Sequence, residues 1–247
     1  GDTRFSRAPQ TDTKAFKDWF GDSVVVNEDG SPKVVYHGTN ASFSEFDPLK
    51  TGGSSDAGWY GSGFYFTPDP EVASDVYGRG EGANIMPAYL SLQNPFDWRS
   101  ENERGLIQND ATASTQKTAE LIKQGYDGVV VYDDYYQLDP GTQLTDEQWG
   151  LITEKNPILE NIGREKISER LSASPWPRNI IVRQYGQKFA DTLTRQRNLL
   201  EAVAFRPEQI KSATGNTGDF NPANPDIRFS RAGNRLDQAS EHFDDLN

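Results

Sequence analysis

Alternating apolar and polar residues divide the chain into short strands joined by polar loops. The clearest alternation runs from Gly63 to Thr67, because neighbouring side chains of a strand point to opposite faces. Phe64 and Phe66 then share one face, and Tyr65 lies on the other. We expect this second face to have room for a flat ligand beside the tyrosine ring. A glycine-rich turn that leads into a core strand is the alternative interpretation.

The same reading predicts further strands with helices between them. We predict a hairpin of residues 24–26 and 33–37 around an Asp-Gly turn, and strands at 88–92, 128–132 and 201–205. Helices are predicted at 14–20, capped by Thr13 and ended by Gly21, and at 118–123. A further helix is predicted to start at the Thr67-Pro68 and Asp69-Pro70 pairs and to continue from 71 to 77. Residues 133–198 are predicted to be a mainly helical insertion, broken at its prolines.

Two of the predicted strands carry a polar side chain in an otherwise apolar row. His37 shares a face with Val35, and Glu201 shares a face with Val203 and Phe205. The histidine could be a core residue with satisfied nitrogens. A carboxylate is seldom buried without a partner, so we expect Glu201 to line a cleft.

Composition narrows the class of protein. With 34% hydrophobic residues in 247, one domain with a sizeable core is the simplest expectation. The absence of cysteine excludes disulfides and cysteine-ligated zinc, and two histidines leave little scope for a metal cluster, so we expect no metal. No apolar run reaches membrane-spanning length and the N-terminus does not look like a signal peptide, so we expect a cytoplasmic protein without a membrane partner.

The net charge of the whole chain argues against binding to nucleic acid, but one window of the sequence is basic. The net charge is −12, which repels phosphates. Residues 161–200 nevertheless contain eight lysines and arginines against three acidic residues, a local charge of +5. This window is either a basic patch on an acidic body or an ordinary solvated helix face.

A short repeat brackets the chain and suggests its domain limits. Arg4-Phe5-Ser6-Arg7-Ala8 recurs as Arg228-Phe229-Ser230-Arg231-Ala232. Two copies are too few for a solenoid and are typical of module junctions. We therefore predict a tail at 1–10, a domain at 11–231 and an acidic tail at 232–247. Because the chain begins with glycine and has one methionine, we expect it to belong to a longer multi-domain protein.

Taken together, the motifs around His37, Tyr65 and Glu201 resemble the ADP-ribosyltransferase superfamily, in the His-Tyr-Glu branch of diphtheria toxin and the poly(ADP-ribose) polymerases. The motifs are Tyr36-His37-Gly38-Thr39, Gly61-Ser62-Gly63-Phe64-Tyr65-Phe66, Ser74-Asp75-Val76-Tyr77 and Glu201-Ala202-Val203-Ala204-Phe205. The wider course of the chain looks like the ADP-ribosyltransferase modules of phage and mobile-element polyvalent proteins. That resemblance implies an α+β fold: a split β-sandwich of two small antiparallel sheets with peripheral helices and a helical insertion.

The resemblance also implies the site and its ligand. NAD would be the substrate, His37 would bond its adenosine ribose and Gly38 would offer its backbone to the nicotinamide amide, which Ser74 would also bond. Tyr65 and Tyr77 would sandwich the nicotinamide ring, and Glu201 would bond the 2′-hydroxyl of the nicotinamide ribose. The implied NAD-binding set further includes Thr39, Ser62 and Gly63.

The implied activity is transfer of one ADP-ribose from NAD to a macromolecule, with protein favoured over nucleic acid, by a toxin, an effector or a phage or mobile-element factor. Two departures from related enzymes are visible. Tyr77 follows Tyr65 by twelve residues, one more than expected, and Leu199 stands where arginine-modifying toxins have a second glutamate. NAD hydrolysis, a nucleic-acid acceptor and a non-catalytic binding module are the alternatives.

Overall fold

The computed structural model describes residues 10–39, 43–48, 51, 58–77, 84–98, 110–214, 216, 220 and 226–227. The strands are β1 (Val35–Thr39), β2 (Phe64–Phe66), β3 (Asn84–Leu90), β4 (Phe96–Asp97), β5 (Gly128–Gln137), β6 (Trp176–Pro177), β7 (Thr194–Ala204) and β8 (Ile210–Ser212). The α-helices are α1 (Lys14–Phe20), α2 (Pro70–Val72), α3 (Ala111–Lys123), α4 (Asp146–Lys155), α5 (Arg164–Ala173), α6 (Arg178–Tyr185) and α7 (Gln187–Ala190). No helix among these residues is both long and apolar enough to cross a bilayer.

The chain forms two compact units. The first unit comprises residues 1–131 and 200–247, and the second comprises residues 132–199. Strands β5 and β7 each contribute residues to both units, because the unit boundaries fall within them. The tails predicted at 1–10 and 232–247, and both copies of the repeat, fall almost wholly outside the described residues.

Two sheets confirm the α+β class. One sheet has the strand order β1-β3-β8, and the other has the order β2-β7-β5-β4, with β6 paired to β5. The sheets are not wholly antiparallel as expected, because β4 runs parallel to β5 over the pairs Phe96–Val129 and Asp97–Val130. Two paired residues are enough to extend the sheet by one short edge strand.

Helix α1 supplies an aromatic core to the first unit, and its predicted limits are confirmed. The Thr13 side chain accepts a hydrogen bond from the Phe16 amide, and Gly21 ends the helix with a φ of 53°. Phe16, Trp19 and Phe20 are buried together with Phe220. The ring centroids of Phe16 and Phe220 lie 4.8 Å apart at nearly right angles, which is a favourable aromatic geometry.

The predicted hairpin before β1 is much reduced. Only a single bridge joins Val26 to Pro32, and the regular strand begins at Val35. Proline has no N–H to donate to a ladder, which limits pairing here. The turn itself forms as predicted, with Gly30 at a φ of 80° and a hydrogen bond of 2.8 Å from the Asn27 amide to the Ser31 carbonyl.

Several predicted limits are wrong because tertiary contacts extend the elements. Helix α3 begins at Ala111, capped by the Asp110 side chain, seven residues before its predicted start. Strand β3 begins at Asn84, and the helix predicted at 71–77 is α-helical only to Val72, after which Ala73–Tyr77 form a π-helix. Strand residues at 133–137 and 194–198 lie within the range predicted to be mainly helical.

Strand β2 lies unusually close to β7, which corrects the expectation of space beside Gly63. In the register, Tyr65 stands opposite Val203. A Cβ added at Gly63 would come within 2.5 Å of the Val203 side chain and 2.8 Å of the Ala204 carbonyl oxygen. The space above Gly63 is therefore filled by β7, and the glycine allows the strands to approach rather than admitting a ligand there.

The second unit has its own hydrophobic core and its own ion pairs. Ile152, Leu171, Ile181 and Phe189 are fully buried in one cluster. The carboxylate of Asp134 is almost completely buried and pairs with two arginines of β7, Arg195 at 2.6 Å and Arg197 at 3.2 Å. A buried carboxylate held by two guanidinium groups ties β7 to β5 within this unit.

We expect Gly63→Ala to destabilise the protein by about 1–3 kcal/mol, because the new methyl group would overlap β7. Gly150→Ala is the matched control: Gly150 is a helical glycine with no atom within 4 Å of the added Cβ, so alanine should be neutral or stabilising by up to about 1 kcal/mol. Urea unfolding followed by circular dichroism measures both. Equal stability of the two variants would contradict the close approach of β2 and β7.

Candidate active site

The two sheets meet at an interrupted ladder between β1 and the end of β2. Tyr36 and Thr67 exchange two backbone hydrogen bonds of 2.7 and 3.0 Å, which form a single bridge. The next rung of a regular antiparallel ladder would join Gly38 to Tyr65. Instead, the Tyr65 carbonyl oxygen lies 2.8 Å from Nδ1 of His37. The imidazole therefore takes the place of a backbone rung, and within the described ranges no further backbone pair joins the two strands.

This hydrogen bond defines the state of His37. A carbonyl oxygen can only accept, so Nδ1 carries the proton, and in the neutral ring Nε2 can accept a hydrogen bond. Burial lowers the pKa of His37 below its ordinary value of 6.5, and the bond to Tyr65 opposes this shift only in part. His37 is therefore neutral at pH 7 and offers an acceptor nitrogen.

Three phenylalanine rings surround the imidazole. Ring centroids lie 5.0 Å from His37 for Phe46, 5.4 Å for Phe66 and 6.2 Å for Phe43. Phe66 and Phe64 both pack beside Phe46, on the face of β2 opposite Tyr65, as the alternation predicted. The rings limit the orientations of the imidazole and account for its desolvation.

Gly38 and Thr39 complete β1. Gly38 is buried and stands opposite Ile85, and Thr39 ends the strand opposite Asn84. Backbone groups two residues apart point to the same edge of a strand, so the N–H and C=O of Gly38 point to the edge where Tyr36 bonds Thr67. The Gly38 backbone thus faces the edge of β1 on which His37 bonds Tyr65.

The Tyr65 phenol is anchored to the turn that precedes β2. Its hydroxyl donates to the Gly61 carbonyl oxygen at 2.6 Å and accepts from the Tyr60 amide at 2.9 Å. Its half-buried ring packs with Val203 and neighbouring aromatic residues. Both ends of the side chain are therefore fixed before any ligand arrives.

Helix α3 holds this turn from the other side, through two hydroxyl groups that sequence analysis missed. Ser114 is fully buried and donates to the Gly58 carbonyl oxygen at 2.6 Å, and Thr118 donates to the Ser62 carbonyl oxygen at 2.9 Å. Ser114 and Thr118 are four residues apart and so lie on one helix face. Asp110 is a good N-cap residue, and a helix predicted to begin after it would have included both Ser114 and Thr118.

Strand β7 brings Glu201 to the face that carries Tyr65. Tyr65 is directly opposite Val203, and Glu201 precedes Val203 by two residues, so alternation places all three on one face. Diagonal neighbours of this kind have Cα atoms about 7–8 Å apart. Glu201 is half-buried, and its place in a cleft stays a prediction.

The remaining predicted residues lie in the segments around β2. The Ser62 hydroxyl is 3.3 Å from that of Thr51. Ser74 is half-buried in the π-helix that packs against β1, an irregularity that is frequent at functional sites. The side chain of Tyr77 lies outside the described part, so its predicted stacking role stays a prediction. The structure thus groups His37, Gly38, Tyr65 and Glu201 on adjoining strands.

Comparison with known families agrees with this geometry. The family model described as "ADP-Ribosyltransferase in polyvalent proteins" matches residues 27–220. The chain belongs to this family. A search of curated proteins and a search of solved structures found no match. The resemblance inferred from the sequence motifs is therefore confirmed at the level of the family.

In this ADP-ribosyltransferase domain, several of the predicted site residues project from regular strands. His37, Tyr65 and Glu201 are each in a strand, and the Tyr65 hydroxyl is fixed by two hydrogen bonds. No group of three or more histidine, aspartate or glutamate side chains within the described ranges is placed to hold a metal ion. The side chains present can accept hydrogen bonds from sugar hydroxyls, stack on a flat ring and stabilise positive charge.

The lowered pKa of His37 predicts how acid affects the domain. The unfolded chain binds this proton near pH 6.5 and the folded chain only at lower pH, so stability present above about pH 6.5 is lost as the pH falls towards the folded pKa. NMR titration of the His37 ring in a His242→Gln background, which leaves a single histidine, should give a midpoint below 6.5.

The control is His37→Asn, whose amide can still donate to Tyr65 but does not titrate. Its unfolding free energy should lose the part of the pH dependence that His37 contributes. A His37 midpoint at or above 6.5, or the same acid sensitivity in the asparagine variant, would contradict the assignment of a desolvated neutral imidazole.

Proposed function

We propose that this domain transfers a single ADP-ribose from NAD to a macromolecular acceptor and releases nicotinamide. The proposal is carried by two observations: the imidazole of His37 is held at β2 by its hydrogen bond to the Tyr65 carbonyl oxygen, and the register of β2 with β7 puts Glu201 on the face that carries the Tyr65 ring. Family membership supports the reaction class. The choice of NAD rests on the fit between these groups and the parts of a dinucleotide.

Each group suits one part of NAD. The Nε2 lone pair of His37 suits a hydroxyl of the adenosine ribose, and the Gly38 backbone suits the nicotinamide amide, together with Ser74. The Tyr65 ring suits one face of the nicotinamide, with Tyr77 as the proposed partner on the other face. Because the phenol is already anchored, stacking costs little conformational entropy.

Glu201 is the proposed catalytic carboxylate. The bond between C1′ of the ribose and the nicotinamide nitrogen breaks, and nicotinamide leaves with the bonding electrons as a neutral molecule. The ribose becomes an oxocarbenium ion, which a carboxylate bonded to the 2′-hydroxyl stabilises more than it stabilises the ground state. The acceptor nucleophile then bonds to C1′ and loses its proton.

A protein acceptor is favoured by charge. The net charge of −12 opposes nucleic acid, and the basic window at 161–200 is partly neutralised within the second unit. Arg164 pairs with Asp146 at 2.7 Å, and Arg195 and Arg197 pair with Asp134. We further propose that the domain acts in the cytosol, as an effector or mobile-element factor within a longer protein.

We expect Glu201→Gln to reduce NAD turnover by roughly 100-fold or more, because the amide keeps the size of the side chain but loses the charge that stabilises the oxocarbenium ion. The matched control is Glu28→Gln, at an exposed position in the turn before β1, which should leave turnover unchanged. Nicotinamide release is measured by chromatography, with thermal unfolding as the test of folding.

Full turnover in a folded Glu201→Gln protein would overturn the catalytic assignment. Labelled NAD with a cell lysate, followed by protease and nuclease digestion, identifies the acceptor. Label that protease removes supports a protein acceptor, as proposed. Label that nuclease removes would show that the acceptor is a nucleic acid instead. Free ADP-ribose at full rate without lysate would show NAD hydrolysis instead, and the absence of NAD affinity by calorimetry would show a non-catalytic module.

A further inference from the structure

A lysine, Lys211, is completely buried in β8, ten residues after Glu201 in the sequence. The Lys211 side chain has no exposed surface, and its Nζ donates to the Asp226 carbonyl oxygen at 3.1 Å. Burying an ammonium group is costly unless hydrogen bonds compensate for lost water. Such a residue is better explained by what it holds than by hydrophobic packing.

What Lys211 holds is a short strap, defined here as Asp226–Ile227. The Ser212 amide donates to the Ile227 carbonyl oxygen at 3.0 Å, which fixes the strap beside β8. On its other side the Ile227 amide donates to the Ser44 carbonyl oxygen at 2.9 Å, and Asp226 forms an antiparallel bridge with Glu45. The strap therefore joins β8 to the segment at 43–46.

That segment carries two of the rings around His37. Phe46 is 2% exposed, and its ring lies 5.0 Å from the imidazole and 4.9 Å from Phe43. Ile227, in the strap, is 1% exposed. A continuous series of hydrogen bonds and buried contacts thus runs from the Lys211 ammonium through the strap to the aromatic surroundings of His37.

We propose that Lys211 is a positioning residue for the NAD site: by holding the strap, it keeps Phe43 and Phe46 against His37 and so fixes the imidazole. This inference rests on the proposed function for its kinetic consequence. Lys211 does not touch the reacting atoms. Its loss weakens NAD binding more than the chemical step, because His37 serves the adenosine side of the ligand and Glu201 serves the bond that breaks.

The test is Lys211→Met in the full chain, which keeps the length and burial of the side chain but removes its N–H groups. We expect the KM for NAD to rise about fivefold or more while kcat changes less than about twofold. The His37 ring signal, observed by NMR in a His242→Gln background, should move towards that of a solvated imidazole. Lys123→Met, at an exposed lysine of α3, should change neither.

A second variant tests the proposal even if Lys211→Met does not fold. Ile227→Ala shortens the strap's buried side chain and should produce the same changes to a smaller degree. A lower melting temperature with unchanged KM and an unmoved His37 signal would overturn the proposal, since it would show a merely structural lysine. If the wild type neither binds nor turns over NAD, the proposed function fails, and the His37 signal alone decides whether Lys211 positions the imidazole.

Discussion

The hydrogen bond from His37 to the Tyr65 carbonyl oxygen joins β1 to β2 where a backbone pair would otherwise stand. A regular ladder beyond Tyr36 and Thr67 would have closed β1 onto β2 and consumed the Gly38 backbone. With the imidazole in that place, the Tyr65 carbonyl oxygen still accepts a hydrogen bond. The cost of a buried carbonyl without a partner is avoided, so the interrupted ladder is compatible with a stable sheet.

The arrangement of these residues also depends on close contact between β2 and β7. Gly63 allows Val203 to pack where a side chain would have stood, and the register then places Glu201 diagonally from Tyr65 on the same face. If these residues bind NAD as proposed, the site needs little rearrangement, because its polar groups project from strands that are already paired. Preorganised polar groups of this kind stabilise a charged transition state most effectively.

Local patterns predicted the parts of this site that depend on strand alternation. The faces of Phe64, Phe66 and Tyr65 followed from alternation alone, whereas for His37 the sequence left a core role and a site role both open. The structure shows why: the ring packs among phenylalanines, yet its tautomer leaves an acceptor nitrogen. Ser114 and Lys211 were missed because each acts through a carbonyl oxygen distant in the sequence, and backbone acceptors leave no pattern in a sequence.

The register of β7 decides which face carries Glu201. A slip of one residue would turn Glu201 to the other face, so its position depends on a register that the whole strand shares. Arg195 and Arg197 belong to the same strand, and both are paired with the buried Asp134 of β5. Breaking a buried charge pair is strongly unfavourable, so these contacts oppose slippage. Within the second unit, the pairs therefore fix this part of β7 against β5.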